Sequence, residues 1–481
     1  MKYSLLLLIL LTLFSCKKVL DENPQNVAEG NFYQTAAELE AGVNAIYSAV
    51  RTSGCLSALY PVQLDIYSEY LYGRGSHAPL NDYKGLDNTN ITRVADMWKA
   101  FYLGIRNANI IVQKAPLAKQ ASETDKRKYI SEARFLRALW YFHLVRNWAG
   151  VPLRTENNMD SLNVKRSSAA DIYAFIEADL LYAEANLQDA PRLPGAPSVW
   201  SAKAVLADVY MNLQRYTEAR DKAQEIIQSG KFALVNVQVA ADFDKLYGPD
   251  VATSSEEVFY IKFARSPSSQ NNFYPAYAHY PNSGYYPPAG YYTFYSDAQA
   301  NPFIRNWDKN DLRYAYNWYS QTFGLGPNTI LNKKFSDKAA VSGAGNDYPM
   351  YRYADILMLY AEAASRVNNG PTADAMEKLN MVHRRAYGKN PLVPDASVDF
   401  RLADYGTLQS FLDLLVRERG YETCCEAKRW HELKRMGIVK QTIQAVKGIT
   451  VADKHLLWPI PLTETNYNKA IDPVKDQNPG Y

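Results

Sequence analysis

Apolar residues recur at three- and four-residue spacing over most of this chain, the signature of helices with one buried face. Leu39, Val43, Ile46 and Val50 share one such face, and Thr35 with Glu38 forms a predicted reciprocal cap at its start. A helix is predicted over 97–112, where Trp98, Phe101, Ile105, Ala108 and Ile111 repeat on one side. The strongest pattern of the first half covers 125–148, through Tyr129, Ala133, Leu136, Trp140 and Leu144, and Asn147, Gly150 and Pro152 stop it. Another helix follows over 169–185, with Ile172, Phe175, Ile176, Leu180 and Leu181 on its face. Over 200–228 the pattern becomes a repeat: Trp200, Ala204, Ala207 and Tyr210 on one helix, then Tyr216, Ala219, Ala223 and Ile226 on the next. Large residues at fixed offsets, with small alanines admitting close helix crossing, match the two-helix tetratricopeptide pattern without its usual glycine. A second copy is predicted from Ile356, Leu359, Tyr360 and Ala363, followed by Pro371, Ala375, Leu379 and Val382, and a looser one pairs 98–115 with 130–148. Single pairs of this kind cannot bury their faces and must stack. Residues 407–437 are strongly helical, with a break predicted near Gly420, and the tail from His455 onward is predicted to lie across the helices. Only 257–263 alternates as a strand does.

Residues 269–323 break this rule. Their first half, SQNNFYPAYAHYPNSGYYPPAGYYTFY, holds eight tyrosines, and Pro275, Pro281, Gly284, Pro287, Pro288 and Gly290 forbid a long helix or a central strand. Tyrosine brings flat apolar area and a hydroxyl on few rotatable bonds, which suits a surface that holds a large polar ligand with apolar faces. Candidate stacking residues are Tyr285, Tyr286, Tyr291, Tyr292, Trp307, Trp318 and Tyr319; candidate polar contacts are Asn271, Asn282, Asp297, Arg305 and Asp308. A second wall is expected from the passage holding Tyr60, Tyr67, Tyr70, Tyr72 and Tyr83, with Tyr70 and Tyr72 as its binding candidates.

Composition narrows the function classes. The charge is nearly balanced, 53 basic against 50 acidic residues, so no concentrated basic face points to nucleic acid. Tyrosine is the outlier at 37 copies. The apolar run 5–14 is too short to span a bilayer and has the length of a signal-peptide core. It ends Leu13-Phe14-Ser15-Cys16, which looks like a bacterial lipobox with Cys16 as the lipidated residue. Residues 1–15 are thus read as signal peptide and 16–30 as a lipidated tether. Cys55, Cys424 and Cys425 are read as buried thiols, since neighbouring cysteines bridge only with strain. No histidine pair has metal-ligand spacing; His431-Glu432 begins like a zinc-protease motif, but Arg435 stands where the second histidine is required. His279 is the one histidine inside the tyrosine-rich stretch, and so the one within reach of a ligand there. No carboxylate pair stands out for glycoside hydrolysis. Arg417, Glu418, Arg419, Glu422, Arg429 and Glu432 read as an ion-pair network, with arginines offsetting the like-charged glutamates at four-residue spacing. No catalytic residue, cofactor or metal is assigned.

Several stretches resemble the SusD/RagB family of outer-membrane lipoproteins in Bacteroidetes: NFYQTAAELEAGVNAIY, YISEARFLRALWYFHLVRNWAGVPL, the Trp200 repeat, YRYADILMLYAEA, VRERGYETCCEAKRWHELKR, and the ending LLWPIPLTETNYN with DQNPGY. They cover most of the mature chain in family order. One departure is visible: Ala427 stands where the family pattern carries glycine. The resemblance implies a mainly α fold, about four tetratricopeptide-like helix pairs in a right-handed frame, carrying an irregular loop-rich ligand-binding half. Residues 31–481 would form one such domain, with frame segments at about 31–50, 97–260 and 350–481 and binding segments at about 55–95 and 265–345. It further implies an oligosaccharide or polysaccharide ligand, a SusC-like TonB-dependent transporter as partner, anchoring to outer-membrane lipid at the cell exterior, and no enzymatic activity. Peptide or protein binding is the alternative, and a surface glycosidase a more distant one.

Overall fold

The computed structural model describes residues 32–83, 88–266 and 271–481; residues 1–30, with the segments expected to be signal peptide and tether and with Cys16, lie outside the described residues. The first described helix, α1 (Ala36–Val50), begins with the predicted cap: Thr35 Oγ1 accepts from the Glu38 amide, and the Glu38 carboxylate accepts from the amides of Gln34 and Thr35. Seven further frame helices follow: α2 (Asn88–Lys114), α3 (Glu123–Trp148), α4 (Ala169–Asn186), α5 (Val199–Asn212), α6 (Tyr216–Gln228), α7 (Tyr353–Val367) and α8 (Ala373–Ala386). Each packs on the next in order, so the frame is a stack of four successive helix pairs. Its core is apolar and aromatic, with Trp140, Trp148, Trp430 and Trp458 fully buried. The tail folds back over α3: Trp458 donates its amide to the Asn147 carbonyl, and Trp148 donates its indole N–H to the Pro459 carbonyl.

Helices α6 and α7 touch, yet more than a hundred residues separate them in sequence. The chain leaves the frame after α6 and returns through an antiparallel ribbon of β2 (Glu257–Ile261) and β6 (Tyr348–Arg352). The excursion between these two strands carries the tyrosine-rich loop. Its strands β3 (Phe294–Asp297), β4 (Trp318–Ser320) and β5 (Thr329–Asn332) join β1 (Tyr72–Gly73), from earlier in the chain, in a small sheet of order β1-β3-β5-β4.

Helix α9 (Leu408–Glu422) runs through Gly420 itself, where a Cβ would lie 2.8 Å from the Phe303 ring. The break predicted near that glycine falls just beyond it, at 423–428, where Cys425 and Ala427 adopt left-handed φ of 60° and 57°, before α10 (Arg429–Arg435) begins. Left-handed backbone costs an L-residue about 1–2 kcal/mol, which explains the glycine of the family pattern at position 427. Cys55, Cys424 and Cys425 are buried free thiols.

The glutamates of α9 and Glu426 in the turn after it sit in a buried ion network, and most of their partners come from other elements. Arg352 bridges Glu422 and Glu426 at 2.8 Å each; Arg313 reaches Glu418 at 3.1 Å and Glu422 at 3.3 Å; Lys334 reaches Glu426 at 2.6 Å. Arg385 on α8 joins Glu422 to Glu256. The network thus ties α9 to α8, to the ribbon and to the loop-rich half. His431 is buried between helices and contacts Asn147 Oδ1 at 3.0 Å.

Candidate functional site

The tyrosine-rich loop is held by its own backbone. A short helix, Tyr274–Ala278, leaves carbonyls that the returning segment uses: the Tyr291 amide donates to Ala276 O, the Thr293 amide to Tyr277 O at 2.7 Å, and the Tyr292 amide to His279 O at 3.2 Å. So close an approach needs glycine before it, because a Cβ on Gly290 would stand 1.8 Å from the His279 carbonyl oxygen. Tyr292 then takes φ of 37°, unusual for a bulky residue and of the kind that clusters at ligand sites. The outer end of the loop is tied at Tyr319, whose hydroxyl accepts the Tyr280 amide at 3.0 Å.

These ties leave a row of half-exposed rings. Tyr280 lies 4.7 Å from Tyr292 and stacks on Phe323 at 5.5 Å and 27°; Tyr295 reaches Phe323 at 6.5 Å, and Tyr72 lies 5.8 Å from Tyr295 across the β1–β3 pairing. Tyr285 and Tyr319 form a neighbouring pair at 4.7 Å. Tyr291, 60% exposed, stands 5.4 Å from Tyr277. The guanidinium of Arg74 lies 4.0 Å from the Tyr292 ring centre and 5.5 Å from that of Phe323, a favourable cation–π geometry. Next to it is an open pocket of about 310 Å³ between the turn at 74–77 and the tyrosine-rich loop.

The candidates divide accordingly. Tyr285, Tyr291, Tyr292, Tyr319 and Tyr72 belong to this surface. Trp307 does not: it is 1% exposed, stacks on Tyr421 of α9 at 4.3 Å and donates its indole N–H to Asp311. Trp318, 4% exposed on β4, is buried in the main core, and Tyr286, 1% exposed, is buried in a separate small cluster with Ala276, Ala340 and Ala344 inside the excursion. The expected second wall is mostly core as well. Tyr60, Tyr67, Tyr70 and Tyr83 are buried, and Tyr70 with Tyr274 donates its hydroxyl to the buried carboxylate of Asp65. Burial pushes Asp65 up to about 6, despite those hydrogen bonds and one from the Ala427 amide. Asn271 is buried and bonds Ser342. Arg305 and Asp308 are exposed; Arg305 donates to the Gln299 carbonyl, and Asp308 accepts from Tyr387 at the end of α8. Asp297 accepts the amides of Gln299 and Ala300, and Asn282 is exposed at the loop tip with φ of 61°. Sequence reasoning missed Arg74 and Phe323, and it left Tyr280 and Tyr295 out of the binding candidates. Phe323 closes the tyrosine-rich stretch, so its position was a signal; Arg74 sits far away in sequence and gave none.

His279 lies beneath the row, 1% exposed, 6.0 Å from both Tyr285 and Tyr286. Burial lowers its pKa to about 3, so the ring is neutral and out of a surface ligand's reach. A second cavity, about 70 Å³ within the frame, is bordered by His143, Arg146, Asp208, Arg419, His431 and Arg435. Its cations already have partners, Arg146 in Asp208, Arg419 in Glu432 and Arg435 in Glu362. Among the described residues no helix is long and apolar enough to cross a membrane.

A stack of helix pairs that displays an aromatic loop surface defines a class of binding proteins built on helical-repeat frames. Residues 283–481 match the family model described as the SusD family, and residues 20–211 match one described as starch-binding associating with outer membrane. SusD-like protein P25 of Formosa agariphila is 24% identical, aligned over 98% of this chain and 98% of that protein. A SusD homolog from Bacteroides thetaiotaomicron superposes with a TM-score of 0.78 at 23% identity, covering 94% of this chain and 98% of its own. Surface glycan-binding protein A from Bacteroides fluxus gives a TM-score of 0.75 at 20% identity, covering 92% and 99%. The chain belongs to the SusD/RagB family.

Proposed function

We propose that this chain captures extracellular oligosaccharides or polysaccharides without cleaving them and delivers them to a SusC-like TonB-dependent transporter. The observation that carries this reading is the row of half-exposed rings, fixed by backbone hydrogen bonds on a rigid frame. Sugar rings present C–H faces that lie on aromatic planes, and their hydroxyls need polar partners at the rim. Tyrosine supplies both, and a surface ordered before binding loses little freedom when it binds. Asn282, Tyr285, Tyr291, Tyr292, Tyr319 and Tyr72 are the sequence-derived candidates on this surface, joined by Tyr280, Phe323 and Arg74. The reading is supported by a structural relative whose name states glycan binding and by the starch-binding description of the matched family. Lipidation at Cys16 would hold the protein to the outer membrane, facing the cell exterior, beside its transporter.

Calorimetric titration of the full chain in detergent with plant, algal, fungal and host oligosaccharides tests this, with the sugars weighed afterwards by mass spectrometry. Saturable binding of intact sugar is expected, lost in Tyr292→Ala. Cleaved product, or saturation by peptides and by no glycan, would overturn it. Co-purification with the transporter from outer membranes tests delivery.

A further inference from the structure

One guanidinium stands out at the edge of the ring surface. Arg74 makes no ion pair with an acidic side chain among the described residues. Its Nη1 donates only long hydrogen bonds, 3.4 and 3.3 Å, to the carbonyls of Tyr291 and Tyr292. The rings of Tyr292 and Phe323 hold the guanidinium in place, leaving most of its five N–H donors for other partners. Arg93 of α2 borders the same pocket and is positioned by Ser76, whose hydroxyl accepts from Nη2 at 2.7 Å. No carboxylate lines the pocket among the described residues. Burial lowers the His77 pKa to about 3, with Arg93 adding in the same sense, while burial raises the Tyr295 phenol, Arg74 opposing the rise and Asp297 adding to it. Arg74 is half-buried, whereas the fully buried arginines around Glu422 are each matched to carboxylates.

We propose that the glycan taken by this surface is acidic, with a carboxylate or sulfate group seated on Arg74 at the pocket beside Tyr291 and the sugar ring lying along Tyr292 and Phe323. A guanidinium presents paired N–H donors that match the two oxygens of either anion, and such charge-assisted pairs are stronger than neutral hydrogen bonds. The aromatic clamp fixes the fork in advance of binding. The proposal rests on the glycan-capture reading and adds the chemical class of the ligand.

The test uses the full chain in detergent and matched probes: oligogalacturonides with free and with methyl-esterified carboxyls, carrageenan oligosaccharides with and without sulfate, and neutral laminarin and xylan oligosaccharides. Binding of a free-acid or sulfated form at least 10-fold tighter than its neutral counterpart is expected, and the two arms tell carboxylate from sulfate. Affinity should fall as salt is raised. Arg74→Gln should lose about 10-fold and flatten the salt dependence, while Arg74→Lys, which keeps the charge and loses the fork, should lose less; near-UV circular dichroism checks that both variants keep the fold. Binding confined to neutral probes would overturn this proposal and leave capture standing. Acidic binding indifferent to both Arg74 variants would overturn the assigned site, and no binding by any glycan would overturn capture as well.

Discussion

Glu422→Gln probes the link between frame and loop-rich half. The carboxylate is buried and faces three guanidinium groups: Arg352 at 2.8 Å, Arg313 at 3.3 Å, and Arg385. Burial alone would raise its pKa, but Arg385, Arg352 and Arg313 outweigh that and hold it at about 2 against an ordinary 4.5. That depression corresponds to about 3 kcal/mol of stabilisation at neutral pH. Removing one member of a buried ion pair independently suggests about 3–5 kcal/mol, because the partners stay buried with their charges uncompensated. The amide also turns its NH2 toward a cation. At about 2.1 cal/mol/K per residue, a chain of this length has an unfolding entropy near 1 kcal/mol/K, so Tm should drop by about 3–5 °C at pH 7. Calorimetric melts of both proteins from pH 7 to pH 3 measure this. A carboxylate with a lowered folded-state pKa contributes its stability above about 4.5 and loses it as pH falls toward 2. The gap between the two proteins should therefore narrow below pH 4.5. Glu418 and Glu362, also held at about 2, make both proteins acid-sensitive in the same window, while Glu256, raised by burial, opposes the trend. A loss under about 1 kcal/mol at pH 7, or a gap unchanged at pH 3, would refute the reasoning.

Three further substitutions separate scaffold from surface. Gly290→Ala puts a Cβ 1.8 Å from a backbone oxygen that cannot rotate away, so the loop must lift off; glycan affinity should fall more than 10-fold while stability drops by only about 1–3 kcal/mol, read by titration and melting. Trp307→Ala should do the reverse, costing about 3–5 kcal/mol by chemical denaturation with glycan affinity unchanged, because its ring is stacked on Tyr421 inside the core. Ala427→Gly relieves a left-handed residue while keeping the amide that donates to Asp65; the gain, about 1 kcal/mol less part of the chain entropy glycine adds, should appear as a higher urea midpoint.

The helical frame was legible along the chain because each frame helix carries its buried face in its own local period. The Thr35–Glu38 cap and the Trp200 repeat are contacts made within a few residues or between adjacent helices, so their spacing predicts them. The tyrosine-rich stretch was legible as a region for a similar reason: proline and glycine forbid regular structure locally. Which tyrosines face outward was not legible, because an irregular loop has no period to separate an inner from an outer face. Burial there depends on elements far away in sequence. Tyr421 of α9 takes Trp307 inward, and Asp65 takes Tyr274. The break near Gly420 was legible, but the role of that glycine was not, since it admits Phe303 from the excursion rather than ending the helix itself. Arg74 joined the surface only when β1 paired with β3, bringing residues more than two hundred positions apart side by side. Local periodicity determined the frame; long-range packing and hydrogen bonding decided which side chains it displays.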